Sequence, residues 1–124
     1  MMDIIHTPSI STWKTYGLWI CQGLLALAFL AAGGQKLLST DAMVALFSDI
    51  GLGQWFRWLT GLLEILAAIL IVIPATAVFG AAMIISIMIG AIFTHVALIG
   101  GSAIPALVLG LMAVVVLIGR LRRP

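Results

Sequence analysis

The chain has 124 residues, of which 64% are hydrophobic and 8% are charged, and its mean hydropathy is +1.30. Soluble domains carry about 25% charged residues, so this composition excludes a soluble globular protein and indicates an integral membrane protein. The net charge of +2, with its arginines concentrated just after an apolar run, argues against a nucleic-acid partner.

Four apolar segments are long enough to cross a bilayer, which takes about 20 residues in a helix. We predict spans at about residues 15–34, 55–73, 75–99 and 103–119. The links between the second, third and fourth spans are very short, so these spans are expected to be antiparallel neighbours. The predicted fold is therefore all-α, a single transmembrane domain forming an integral membrane four-helix bundle.

The longer connection between the first and second spans contains a further helical pattern. Residues 39–41 offer three candidate N-cap side chains, and Met43, Leu46 and Phe47 recur at the three-to-four spacing of one helix face. We predict a short amphipathic helix that lies on the membrane surface.

The distribution of basic residues predicts the orientation of the bundle. An even number of spans puts both termini on one side, which carries Lys14, Arg120, Arg122 and Arg123. The other side carries Lys36 and Arg57. Because cytoplasmic loops are enriched in Lys and Arg, we predict a multi-pass protein of the inner (plasma) membrane with cytoplasmic N- and C-termini.

Glu64 interrupts an otherwise uncharged apolar segment, about 13 Å into the second predicted span. A carboxylate at that depth either takes up a proton or pairs with a cation, and intramembrane ionisable residues usually face the bundle interior. Small residues three or four positions away, including Gly61 and Ala68, indicate a face that allows close helix contact. We predict that Glu64 points into such a contact, beside room for water or a ligand.

The first and third spans bring further polar residues to the same depth. One face of the first span carries Gln22, Ala26, Phe29, Gly33 and Lys36. His95 lies near the outer end of the third span. We therefore predict a ligand or proton pocket formed by Glu64, Lys36 and His95, with Gln35 and Arg57 in the same region. Either Lys36 or Arg57 is the cation that neutralises Glu64.

A purely structural role for these polar residues stays open. Interhelical polar contacts contribute under about 1 kcal/mol in membranes, whereas a charge at the centre of a span costs about 2.5–3.5 kcal/mol. That imbalance favours a functional role for Glu64. Packing is the preferred interpretation for His95 taken alone, for Gly33 and Gly61, and for Gln22 as an interhelical hydrogen-bonding residue.

Three stretches resemble the DoxX-like family of small four-span bacterial membrane proteins. They are AFLAAGGQKL, GLLEILAAILIVIP and IGAIFTHVAL, within a resemblance that runs from about residue 17 to 119. The family pattern of a Lys at the end of span one, Gly-x-x-Glu in span two and a late His maps to Lys36, Gly61, Glu64 and His95. The resemblance implies the fold and a bacterial inner-membrane location. Some relatives look like membrane subunits of thiosulfate or sulfide oxidation systems that pass electrons to quinone, and others are similar to proteins linked with oxidative stress or quinone detoxification.

The favoured function is a non-autonomous subunit of a redox or quinone-linked membrane system. Glu64 would carry a proton or a hydrogen bond, while Lys36 and His95 orient the head of the ligand. The single cysteine excludes an internal disulfide and a dithiol centre, and His6 and His95 are too far apart in the topology to sandwich a haem. We expect no metal site and no cofactor bound by the chain alone, with quinone as the candidate ligand.

Two other functions remain open. The chain is expected to contact the lipid bilayer and to form a homo-oligomer or to bind a partner membrane or redox protein, so it can instead be a non-enzymatic scaffold or accessory subunit. A small-solute or proton carrier is less favoured, because the sequence shows neither an inverted repeat nor a broken helix. Whether the chain is an enzyme is left open.

Overall fold

The computed structural model describes residues 10–122, which are helical throughout apart from short connections. Its five α-helices are α1 (Ile10–Leu37), α2 (Asp41–Ile50), α3 (Gln54–Val72), α4 (Ala77–Thr94) and α5 (Ile104–Leu121). A 3-10 turn, Pro74–Thr76, precedes α4, and a π-helical turn, His95–Ile99, extends it. Four of the helical segments are long and apolar enough to cross a membrane, which confirms the predicted all-α membrane bundle. His6 and Arg123 lie outside the described residues.

The first helix is longer than the predicted span of residues 15–34, since α1 begins at Ile10 and ends only at Leu37. Its two consecutive glycines suggested an end at Gly34, but the helix continues for another turn. A Cβ on Gly33 would lie 2.8 Å from the Gly61 carbonyl oxygen, so glycine at this position permits a close contact with α3. The extra turn carries Lys36 into the bundle.

The four long helices form a ring in which each packs against two others. The neighbours around the ring are α1, α3, α4 and α5, with α5 returning to α1. Small side chains fill much of the centre, and the fully buried core positions include Leu25, Phe29, Ala67, Ile71, Ala81, Ile84, Ala113 and Val116. Such small residues let helix backbones approach closely in lipid, where the hydrophobic effect does not drive helices together.

The short helix α2 covers one end of the ring, which we call the α2 end. Thr40 caps it by accepting a hydrogen bond from the Met43 backbone N–H at 3.4 Å, and Gly51 ends it in a left-handed conformation with φ 86°. Phe47 is buried against Phe56 of α3, with ring centroids 5.8 Å apart. The amphipathic pattern thus forms a helix whose apolar side lies against the bundle.

Candidate functional site: a polar cavity at the α2 end

Glu64 faces the interior of the bundle, where only 3% of its surface is exposed. Lys36, from the last turn of α1, places its Nζ 2.9 Å from Glu64 Oε1. That distance is within hydrogen-bonding range, and no other described residue donates a hydrogen bond to Oε1. The contact is therefore an ion pair that leaves hydrogen-bonding capacity on a buried carboxylate.

A cavity of about 310 Å³ lies beside this ion pair, between α3 and α4 and beneath α2. Its size is at the lower end of the range for small-molecule sites, which are typically mostly apolar with a few polar groups that orient the ligand. The lining follows that pattern. Lys36, Glu64, Thr60, Thr94 and His95 contribute the polar side chains. The larger apolar ones include Leu46, Phe47, Ile50, Phe56, Leu63 and Met88.

The remaining polar groups of the cavity are held by their own helices. Thr60 and Thr94 each donate a hydrogen bond to the backbone carbonyl four residues earlier, both at 2.8 Å. His95 Nδ1 lies 2.9 Å from the Gly100 carbonyl oxygen. Because a carbonyl only accepts, Nδ1 carries the proton of this bond, and Nε2 of a neutral ring is then an acceptor. The cavity thus combines one cationic donor, Lys36, with carboxylate and imidazole acceptors.

Two of the residues predicted for this region do not line the cavity. Arg57 is buried, but its guanidinium donates to the Lys36 carbonyl, to Ser39 Oγ at 2.8 Å and to Gln54 Oε1 at 2.7 Å. Lys36, and not Arg57, is therefore the cation beside Glu64. Arg57 instead links the end of α1 to the start of α3 through its hydrogen bonds. Gln35 is exposed and lies outside the lining.

The predicted packing residues lie at close helix contacts. Gly61 faces α1, since a Cβ there would come within 3.0 Å of Lys36 Cβ and 3.2 Å of the Gly33 carbonyl oxygen. Gln22 lies at the opposite end of the bundle and is fully buried. Its Nε2 donates to the Ile71 carbonyl at 2.6 Å. Its Oε1 accepts from Arg120 Nε at 2.8 Å and from Nη2 at 2.6 Å.

Several of these residues were not singled out from the sequence. Thr60 was predicted to share the face of Glu64 as one of its small residues, but not as a polar group of the pocket. Thr94 had a usable signal, because it directly precedes His95. Leu46 and Phe47 were predicted on one face of an amphipathic helix at the membrane surface, and the structure instead places them in the lining of the cavity. Arg120 was interpreted as a membrane-flanking charge, and no local pattern connects it to Gln22, 98 positions away.

The sequence matches a known family of proteins. The model of the DoxX-like family matches residues 20–119. The chain belongs to the DoxX-like family. The matched segment contains Lys36, Glu64 and His95, and therefore the three charged or titratable side chains that line the cavity. No curated protein and no solved structure matches the chain. Among residues 10–122, no group of three or more His, Cys, Asp or Glu side chains is arranged to hold a metal ion.

Proposed function

We propose that this DoxX-like protein binds the head of a quinone in the Glu64 cavity and serves a redox-linked system of the bacterial inner membrane. The observation that carries the proposal is a buried Lys36–Glu64 ion pair at the wall of a mostly apolar cavity. A charge within a membrane span costs about 2.5–3.5 kcal/mol on insertion, and interhelical polar contacts return under about 1 kcal/mol. Helix packing alone therefore does not account for Glu64.

The polar groups of the lining suit a ligand whose carbonyl groups become hydroxyl groups on reduction. A quinone carbonyl accepts hydrogen bonds, and the Lys36 ammonium is a donor. A quinol hydroxyl donates, and the Glu64 carboxylate and His95 Nε2 are acceptors. Reduction of a quinone consumes two electrons and two protons. We assign Glu64 the role of holding or passing a proton at its carboxylate oxygen, and Lys36 and His95 the role of orienting the head.

The electrons come from a partner in this proposal. The sequence has one cysteine and no dithiol pair, so we propose a non-autonomous subunit, working as a homo-oligomer or beside a membrane or redox protein that carries the electron-transfer group. The many exposed large apolar side chains of the four spans provide surface for lipid and for such a partner.

We place both termini on the cytoplasmic side. Lys14 and Arg122 are exposed at that end of the bundle, as expected for cytoplasmic basic residues. At the α2 end, by contrast, Lys36 and Arg57 are both turned inward onto protein groups. Reporter fusions that are active only in the cytoplasm or only in the periplasm, attached after Pro124 and within the 51–53 turn, test this orientation.

The binding proposal is tested with duroquinone, a benzoquinone without a hydrocarbon tail. Equilibrium dialysis of the purified protein in detergent, with empty micelles as the blank, measures its affinity. We expect Glu64→Gln to weaken binding about tenfold or more, a loss of about 1.4 kcal/mol, while folding is preserved. Asp49→Asn is the matched control, because it makes the same carboxylate-to-amide change on an exposed residue of α2 outside the cavity.

The outcomes separate the competing functions. Unchanged binding in Glu64→Gln contradicts the proposal. Loss of oligomer or partner assembly in that variant, with duroquinone binding intact, favours the scaffold function. Uptake of a solute by proteoliposomes containing only this protein favours a carrier.

A further inference from the structure

A second, apolar depression adjoins the Glu64 cavity on the surface of the bundle. It has a volume of about 410 Å³ and lies along α4, with one lining residue, Leu63, from α3. Its lining consists of Leu63, Phe79, Ala82, Met83, Ser86 and Ile87. Leu63 and Ile87 also line the Glu64 cavity, so these two side chains lie between the two spaces. We call the second space the α3–α4 groove.

The α3–α4 groove has the character of a surface that contacts hydrocarbon. Its one hydroxyl, on Ser86, donates to the Ala82 carbonyl at 3.0 Å and is thereby satisfied within its own helix. Phe79 is 66% exposed on a helix long and apolar enough to span a membrane. Nothing in this groove calls for a polar ligand, and it opens where lipid tails would lie.

On the α2 side, the Glu64 cavity is covered by apolar side chains. Leu46, Phe47 and Ile50 of α2 lie over the cavity, and Phe47 is packed against Phe56. A ligand that came from water at this end would have to displace these apolar side chains. A ligand dissolved in the bilayer meets the groove first and reaches Glu64 past Leu63 and Ile87.

We infer that the ligand is a membrane-dissolved, prenylated quinone that enters sideways, with its head beside Lys36 and Glu64 and its chain leaving along the α3–α4 groove. This inference rests on the proposed function and deepens it by excluding small water-soluble quinones as the principal ligand. Hydrocarbon gains little by exchanging lipid for an apolar protein surface. The head therefore supplies the affinity, and the groove supplies the exit path that lets a tailed molecule seat its head.

The first test fills the α3–α4 groove with larger side chains and leaves the lining of the Glu64 cavity unchanged. Ala82 and Ser86 are exposed, are four residues apart on α4 and lie outside the lining of the Glu64 cavity. In the double variant Ala82→Phe/Ser86→Phe we expect binding of a long-chain prenylated benzoquinone to weaken about tenfold or more, because its chain has no exit. Duroquinone binding should stay within about twofold of wild type. The matched control is Leu111→Phe/Val115→Phe, which adds two rings at the same spacing on exposed positions of α5.

A photolabel provides the second measurement and does not depend on any variant. A prenylated quinone that carries a diazirine in its chain should label peptides of α3 and α4 in the wild-type protein, including Phe79 or Met83, and excess unlabelled quinone should suppress this. Labelling of α1 or α5 instead, or unchanged long-chain binding in the groove-filled variant, overturns the inference while leaving the head site intact. If neither quinone binds the wild-type protein, the proposed function itself fails and the inference fails with it.

Discussion

The two ends of the bundle each bury a polar side chain, and the two differ in whether that side chain faces only protein groups or also a cavity. At the end away from α2, the Gln22 amide donates to Ile71 and accepts two hydrogen bonds from Arg120. At the α2 end, Glu64 Oε1 is paired with Lys36 Nζ at 2.9 Å, and Glu64 lines a cavity. The contrast separates a polar group that joins helices from one that retains the capacity to bind something else.

The Gln22 cluster also shows why a polar residue is useful at a helix end. Ile71 is in the last turn of α3, where backbone carbonyls lack a partner within the helix. Without water in the hydrocarbon region, such a carbonyl needs a donor from elsewhere in the protein. Gln22 supplies it, and Arg120 in turn holds the Gln22 oxygen, with its guanidinium 5.0 Å from the centre of the Trp19 ring.

The largest expected effect is on the free energy of unfolding, and it shows whether the Lys36–Glu64 pair itself holds the helices together. Lys36→Met should lower the free energy of unfolding by about 3–5 kcal/mol, since it leaves a buried carboxylate without its cation. Replacing both partners, in Lys36→Met/Glu64→Leu, should restore stability to within about 1 kcal/mol of wild type or above it. Reversible unfolding in mixed detergent and SDS micelles, followed by tryptophan fluorescence, measures both. A double variant as unstable as the single one would mean that the pair itself holds the helices together.

The next effect concerns the helix contact that brings Lys36 to Glu64. Gly33→Ala should lower the free energy of unfolding by about 1–3 kcal/mol, because its new methyl group meets backbone of α3 and overpacks the contact. The adjacent Gly34→Ala is the control, as a Cβ there meets nothing within 4 Å. It should be neutral or stabilising by about 0.5–1 kcal/mol, the usual gain of alanine over glycine in a helix. Equal losses in the two variants would show that α1 and α3 do not meet at Gly33.

The smallest effect is expected at the opposite end of the bundle. Gln22→Leu removes the donor of the Ile71 carbonyl and should cost about 0.6–1.7 kcal/mol, between the average and the maximum measured for interhelical polar contacts in one membrane protein. Gln35→Leu makes the same change at an exposed position of the same helix and should be close to neutral. Duroquinone binding should be unchanged in both. Loss of duroquinone binding in Gln22→Leu would contradict the purely structural role of Gln22.

Much of the fold could be predicted from the sequence because the bilayer imposes strong constraints. A helix must be about 20 apolar residues long to cross it, and the three-to-four spacing of polar and small residues marks the face that is buried. Both rules held for α1, whose face from Gln22 to Gly33 is enclosed by other helices. α1 continues to Leu37, three residues past the approximate span of residues 15–34, and a glycine at a helix contact looks the same in sequence as one at a helix end.

The site was predictable only in part. Glu64 was found because a carboxylate is anomalous in an apolar segment, and Lys36 and His95 because helix lengths put them at the same depth. Gln35 directly precedes Lys36, and consecutive residues of a helix point about 100° apart. The spacing therefore argues against a shared face for Gln35 and Lys36. The choice between Lys36 and Arg57 depended on tertiary contacts, because Ser39, Gln54 and the end of α1 take all of the Arg57 hydrogen bonds that the structure records.

The most direct measurement uses the fact that Glu64 is the sole glutamate in the sequence. Cell-free synthesis with carbon-13-labelled glutamate marks the side-chain carboxyl of this one residue for isotope-edited infrared difference spectroscopy. If Glu64 faces a ligand cavity, addition of duroquinone should shift the labelled carboxyl band, and Asp49→Asn should give the same shift. Bound quinone that leaves this band unchanged would contradict the account, because the head would then lie elsewhere and Glu64 would have only a structural role.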